Sequence, residues 1–408
     1  MKQFSIPSKY RSPLITAIKS KRKEADKLKK DFSPTQLDFD AVTFKLARHF
    51  GFCYGVENAI EIAFQTIEQH PDRRIFLLSE MIHNPFVNED LINRGLQFMM
   101  DTKGNTLIPF ETLTKDDIVI IPAFGTTIEI ENKLKSIGIK IERYNTTCPF
   151  VEKVWNRAEQ IASRGYSIVV HGKPTHEETR ATFSHSNVHA PTIVINDMEE
   201  AILLGDCMLG KYSIAESYQM FSGRYSEGFD FERDLQQFGV VNQTTMLATD
   251  TQAIADYLKN IIIQKYNLSP SNVGDHFADT RDTLCYATND NQTAVIHLLK
   301  DPADLAIVIG GRKSSNSSHL VELCEEKLPT YFIQSEDDIL SPSKIRCFNW
   351  RTHEEYMAEN FIPSGKKPVI AITSGASCPD AIVENVIEKL SGFYTNSKPL
   401  EQIVAQWT

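Results

Sequence analysis

The sequence predicts an α/β protein built of three units, and three observations carry that reading. Short β-rich runs alternate with amphipathic helical stretches, the pattern left when helices cross over between strands. Three cysteines, Cys53, Cys148 and Cys285, occupy one kind of junction, each ending an extended run and opening a helix. At 408 residues the chain is also about two to three times the length of a usual domain, so more than one core is expected.

Residues 1–41 read as a basic extension. The first 30 hold ten Lys and Arg (among them Lys2, Lys19 and Lys29) against Glu24 and Asp26, which fits a solvated helical segment better than a nucleic-acid arm. The first domain, 42–145, opens on Val42, Phe44 and Leu46, which alternate as a strand does. Gly51-Phe52-Cys53-Tyr54-Gly55 follows. Val56, Ile60, Ala63 and Ile67 then recur at helical spacing until Pro71 closes the segment. Further strands are expected at Ile75 to Leu78 and Ile118 to Pro122.

The second domain, 146–283, places Val151, Val154, Trp155, Ala158 and Ile161 on one helical face behind Cys148. Its strands are Ser167 to Val170, Ile193 to Ile195 and Val240 to Val241. An insertion at 205–237 has no clear periodicity. In the third domain, 284–390, Ala294, Leu298 and Leu299 form a helical face behind Cys285, with strands at Ala306 to Ile309 and Val369 to Ile372. Residues 391–408 are a tail.

A composition of 41% hydrophobic and 24% charged residues excludes disordered and collagen-like chains. The net charge of −10 argues against a nucleic-acid partner, whose phosphates need clustered Lys and Arg. No apolar run approaches the roughly 18 residues of a bilayer span, so no membrane partner is expected. Seven cysteines, with no CxxC pair, fit neither a disulfide framework nor a zinc ribbon and favour a reducing interior. Acidic residues within the extension suit an organellar presequence poorly. The expected location is the cytoplasm rather than a plastid stroma.

Cysteine thiolates at helix N-termini are stabilised by the helix dipole and by backbone N–H groups, which favours metal ligation. Burial as small hydrophobes is the other reading open to the three. Three cysteines on an iron–sulfur cubane would leave one iron open. Of the rest, Cys207, Cys324 and Cys347 have blander settings, and Cys378, after a Ser-Gly-Ala-Ser turn, is the alternative ligand. A second set of strand-end loops is rich in hydroxyl, amide and imidazole groups: His83; His176 with Glu178; Gln243-Thr244-Thr245; Ser314-Ser315-Asn316; and Ser377. Such groups at helix starts make anion sites that suit phosphate, although a single Ser-rich turn also serves as an N-cap. No P-loop or G-x-G-x-x-G stretch supports a nucleotide. His176 and Glu178 suit an acid and its orienter, since a carboxyl screened from water can deliver a proton. The residues alone therefore point to redox or Lewis-acid chemistry on a small phosphorylated substrate.

Eight motifs in order, GFCYGVENAI, IHNPFV, TTCPFVEKVW, HGKPTHEET, NQTTM, CYAT, GGRKSSNSSHL and TSGASCPD, cover about residues 42 to 390. Together they resemble the LytB or IspH family of 4-hydroxy-3-methylbut-2-enyl diphosphate reductases, in its chloroplast and cyanobacterial form. The resemblance implies three α/β domains in a trefoil around a central [4Fe-4S] cluster held by Cys53, Cys148 and Cys285, with one iron open. It implies reduction of an allylic alcohol diphosphate to isopentenyl and dimethylallyl diphosphate, the last step of the non-mevalonate pathway. Glu178 would donate the proton, with His176 beside it, and Thr244 would orient the substrate hydroxyl. His83, His176, Ser314, Ser315, Asn316 and Ser377 would hold the diphosphate, with Gln243 and Thr245 supporting the neighbouring turn. Ferredoxin or flavodoxin would supply electrons, and the basic extension would help dock such an acidic carrier. In one respect the chain departs from the family: short bacterial members carry a histidine where Phe124 stands, so Thr126 or Thr127 is expected to replace that contact. The competing readings are a non-enzymatic iron–sulfur redox sensor or electron carrier, which has no use for Glu178 or the Ser314-Ser315-Asn316 turn, and a zinc phosphohydrolase.

Overall fold

A computed structural model describes residues 4–28, 30–269, 271–278 and 284–407. Lys2, Lys29 and the stretch 279–283, which leads into Cys285, lie outside the described residues. The chain divides into two compact units: Met1–Glu61 with Ile82–Glu89 and Tyr286–Thr408, and Ile62–Met81 with Asp90–Cys285.

The first unit is built on a five-stranded sheet in the order Thr35–Asp38, Thr43–Leu46, Val369–Ser374, Leu305–Ile309, Thr330–Ile333. Only the first pair is antiparallel. Leu305–Ile309 is buried along its whole length, as its unbroken Leu-Ala-Ile-Val-Ile sequence requires of a strand covered on both faces. Thr43–Leu46, near the front of the chain, pairs in parallel with Val369–Ser374 near its end, Thr43 opposite Val369 and Leu46 opposite Ile372. A separate antiparallel sheet, Ile339–Ser341, Lys344–Asn349 and Glu354–Glu359, belongs to the same unit.

The extension is not the solvated segment its composition suggests. Helix Pro13–Ala25 starts at Ser12, whose hydroxyl caps Ile15 N–H at 2.8 Å and donates to Glu384 at 2.6 Å. Leu14, Ile15 and Ile18 are buried in the unit's hydrophobic core, and Lys19 pairs with Asp380 at 2.7 Å. Lysines and arginines on the outer face masked this apolar stripe.

The second unit holds two parallel sheets, one ordered Gln97–Phe98, Ile75–Leu77, Ile118–Ile120 and one ordered Thr192–Ile195, Ser167–His171, Phe238–Asn242, Phe277–Ala278. The stretch 205–237, aperiodic in sequence, is ordered by aromatic packing. Phe221, Phe229 and Phe231 are buried with Tyr218 and Tyr225 against the core that the second sheet shares with helix Ala248–Tyr266. Its first residue, Gly205, lies in helix Met198–Met208, where a Cβ would stand 2.9 Å from the Tyr257 hydroxyl.

If the extension is core, Leu14→Ala lowers stability by about 3 kcal/mol, the cost of a large buried truncation. Urea unfolding of the variant measures this, and a loss below about 0.5 kcal/mol, the range of surface substitutions, would return the helix to the surface.

Candidate active site

In the first unit Thr43–Leu46, Val369–Ser374 and Leu305–Ile309 run side by side and parallel, and the turns after their C-terminal ends carry the candidate residues. Ligands gather at such ends in open α/β sheets. The first turn brings Gly51 at φ 76° to a point where a Cβ would stand 2.3 Å from Asp380 Oδ1, an approach that only glycine permits. It ends at Cys53, just before helix Tyr54–Gln69. Burial pushes the Cys53 thiol up, while the N–H groups of Val56 and Gly55 donate to its sulfur and pull it down.

Cys53 N–H donates to Ala376 O at 3.2 Å, and Ala376 N–H donates to Asn316 Oδ1 at 2.9 Å. Asn316 lies in the first turn of helix Ser315–Glu325, capped by Ser314, whose hydroxyl accepts Ser317 N–H at 3.2 Å. Its Nδ2 is buried without a hydrogen-bond partner among the described residues, so a donor waits at the helix start. Around it the backbone is drawn in closely. A Cβ at Gly310 or Gly375 would stand 2.1 Å from Ser317 Oγ, and one at Gly311 would stand 2.0 Å from His83 O. Ser377 Oγ donates to that same His83 carbonyl at 3.3 Å. His83, Ser314, Ser315, Asn316 and Ser377 are all buried, and all but Ser315 are joined by these bonds and close approaches.

The second unit assembles the other set. Glu178, 1% exposed, is the second residue of helix Glu177–Asn187 and accepts Thr244 N–H at 2.5 Å and Thr244 Oγ1–H at 3.0 Å. His176 caps the same helix, its Nδ1 accepting Glu178 N–H at 3.2 Å. That bond requires the neutral ring to carry its proton on Nε2. Gln243 is a brace: its Oε1 accepts from Thr179 at 3.0 Å and Lys173 N–H at 3.1 Å, and its Nε2 donates to Thr245 at 2.7 Å.

Phe124 meets His176 edge to face, with ring centroids 5.4 Å apart at 87°. The two threonines expected to replace the missing histidine differ in setting. Thr127 caps helix Ile128–Ile137 and donates to Glu129, and Thr126 is buried with its carbonyl accepting from His185 Nε2 at 3.1 Å. The loop is fixed from behind, because Gly125 at φ 77° leaves room for Trp155, which stacks on His185 at 3.6 Å. Phe124 as a support for the imidazole was beyond sequence reasoning; its only signal is an aromatic residue in a strand-end loop where polar groups are the rule.

Cys148 is the N-cap residue of helix Pro149–Ala162, and its N–H donates to Ala123 O at 2.9 Å. Cys285, 8% exposed, precedes helix Tyr286–Leu298. Tyr286 Oη accepts Tyr54 N–H at 3.4 Å, so the residues after Cys285 and Cys53 are in contact. Among the described residues no three His, Cys, Asp or Glu side chains gather as ligands of a single metal ion do. A cluster spreads its thiolates over different irons and needs a wider spacing. Cys378, the alternative ligand, is fully buried in the first unit's core, and burial drives its thiol far up.

Residues 44–391 match the family described as LytB protein. A relative from Parasynechococcus marenigrum, named 4-hydroxy-3-methylbut-2-enyl diphosphate reductase, is 39% identical over 357 residues, covering 87% of this chain and 86% of its own. One of the same name from a Synechococcus species is 37% identical over 392 residues, covering 95% and 89%. The fold is shared with solved structures. A diphosphate reductase from Plasmodium falciparum aligns with TM-score 0.62 at 22% identity, covering 87% of this chain and 90% of that one. Another, titled the terminal enzyme of the non-mevalonate pathway, aligns with TM-score 0.52 at 23% identity, covering 85% and 98%.

The His176 geometry has a direct spectroscopic consequence. Nitrogen-15 NMR of the ring should report the Nε2–H tautomer, and a predominant Nδ1–H form would contradict the cap.

Proposed function

The chain belongs to the LytB protein family, and from that premise we propose that it reduces (E)-4-hydroxy-3-methylbut-2-enyl diphosphate to isopentenyl and dimethylallyl diphosphate, the last step of the non-mevalonate isoprenoid pathway. The observation that carries the proposal is the buried Glu178 carboxyl, held by both the N–H and the hydroxyl of Thr244 two residues after the His176 cap. Each turnover takes two electrons and two protons and releases the substrate hydroxyl as water. A sensor or a carrier would have no use for this arrangement.

Membership implies an iron–sulfur cofactor. The residues we assign to it are Cys53, Cys148 and Cys285, all at helix starts, and the N–H groups aimed at the Cys53 sulfur and the Tyr54–Tyr286 bond support that assignment. Held by these three cysteines, a [4Fe-4S] cluster would relay the two electrons of the donor one at a time and keep one iron open as a Lewis acid.

The chain's own groups do the rest. Asn316 Nδ2 and the hydroxyls of Ser314, Ser315 and Ser377 bind the diphosphate, with donors from His83 and from His176 Nε2. Phe124 holds the His176 ring in place of a further polar contact. Thr244 Oγ1 orients the substrate hydroxyl, and Glu178 delivers a proton to it as it departs. Gln243 and Thr245 keep the Thr244 turn against the helix that bears Glu178. Closed, dry surroundings strengthen each of these contacts.

The electron donor we propose is an acidic ferredoxin or flavodoxin, for which exposed Lys23 on helix Pro13–Ala25 and exposed Lys27 just beyond it offer a basic surface. The proposed location is the cytoplasm. Among the described residues no helix is long and apolar enough to cross a membrane.

Anaerobic oxidation of a reduced viologen by the iron-reconstituted protein should depend on the hydroxylated allylic diphosphate. Glu178→Gln should keep cluster absorbance and substrate binding but lower turnover by at least about a hundredfold, and near-normal turnover would remove Glu178 as the acid. Serine at Cys53, Cys148 or Cys285 should bleach the brown colour far more than serine at Cys207, Cys324 or Cys347. Equal bleaching across all six would refute the ligand set.

A further inference from the structure

The strand Ile75–Leu77 is entered through a turn that carries Arg73 and Arg74, and Arg94 follows helix Pro85–Asn93 nearby. With His70 these three arginines surround a cavity of about 290 Å³ in the second unit. No Asp or Glu lines it, and its floor is apolar: Ile67, Ile75, Phe76 and Leu96. The wall at Gly95, φ 96°, is open, since a Cβ there would meet nothing within 4 Å. The candidate active site lies elsewhere in the unit: Ser79, which donates to Glu177 beside Glu178, follows the opposite end of this strand.

Each guanidinium is anchored from behind. Arg73 donates Nε and Nη2 to the Asp116 carbonyl, which holds the group without cancelling its charge. Arg74 grips Asp117 with Nε at 2.8 Å and Nη2 at 2.6 Å. Arg94 donates Nε to Asp90 at 3.2 Å and lies 4.6 Å over the Phe64 ring. The bonds of Arg73 and Arg74 use Nε and Nη2, and that of Arg94 uses Nε alone. Donors on fixed planar groups therefore remain for a ligand, the arrangement that suits oxyanions of phosphate type. Asp90 and Asp117 offset two of the three charges and leave the rim positive. A rim of arginines over an apolar floor matches an anion with a short hydrocarbon tail.

We propose that this cavity is a second, non-catalytic diphosphate site that takes a short isoprenyl diphosphate. The choice of tail rests on the activity proposed above, whose products belong to that class; the anion site itself does not.

Calorimetric titration of the cluster-loaded protein with dimethylallyl diphosphate tests this. The wild type should bind two equivalents. Arg73→Ala combined with Arg94→Ala should bind one, with turnover unchanged, while Ser315→Ala should weaken only the other site. Inorganic diphosphate should bind the arginine site about tenfold more weakly than the prenyl compound, for want of contacts to the apolar floor. Equal stoichiometry in the wild type and the double variant, or one equivalent in the wild type, would overturn the site. Equal affinity for the two ligands would overturn the prenyl preference. Binding is read without turnover, so two bound equivalents in a protein that oxidises no viologen would count against the activity and leave the second site standing.

Discussion

The peptide groups of Ala376 make the two hydrogen bonds on which the chemistry of the first unit depends. Its carbonyl holds the N–H of Cys53 and its N–H holds the side chain of Asn316, so one turn sets both the residue we propose as a cofactor ligand and the one we propose as a phosphate donor. That turn follows Val369–Ser374, the middle strand of the sheet, which is paired on both sides. The neighbouring strands deliver the other two turns to the same edge. Glycines at 310, 311 and 375 then let Ser317 and the His83 backbone approach closer than any side chain would allow. A site assembled in this way is as rigid as the sheet beneath it, which suits a constellation that must hold donors at fixed distances.

The second unit holds the carboxyl that we propose as the proton donor. Glu178 sits in the first helical turn, and Thr244 donates to it twice from the next loop. The cost of burying the group is met by those bonds. His176 completes the arrangement by turning its acceptor nitrogen inward, which points the donor outward. Phe124 contributes shape where a histidine would contribute a hydrogen bond, and Trp155 and His185 hold its loop from the far side.

Much of this was legible in the sequence because it is local. Eight predicted strands, Thr43–Leu46 and Leu305–Ile309 among them, announce themselves by alternation or by unbroken apolar runs, and the helix starts behind Cys53 and Cys148 by apolar spacing. What was not legible is non-local. Nothing near Thr43 says that its partner is Val369, since parallel pairing is decided by the core that forms around both. The stripe Leu14, Ile15, Ile18 was hidden among lysines, and the aromatic cluster of residues 218–231 has no period because all its side chains but that of Tyr218 pack from outside helices and strands. In the site, hydroxyls and imidazoles mark themselves by type, whereas the bracing role of Gln243 depends on partners 64 and 70 residues away.

The same physics separates the three cysteines assigned to the cofactor from the others. Burial opposes ionisation wherever it occurs: it pushes the Cys324 and Cys347 thiols up to about 12 and Cys378 further still. Those thiols lie in the first unit's hydrophobic core and behave there as small apolar side chains. Cys53 is pushed up as well, yet it alone of these four has two helix-start N–H groups directed at its sulfur. A bound iron would add positive charge beside that sulfur and act, as those N–H groups do, in the direction that burial opposes. Position at a helix start, rather than exposure, is therefore the ground on which we propose buried cysteines as ligands. It is also the feature that Cys148 and Cys285 share with Cys53, whereas Cys207 and Cys324 lie inside helices and Cys347 in a strand.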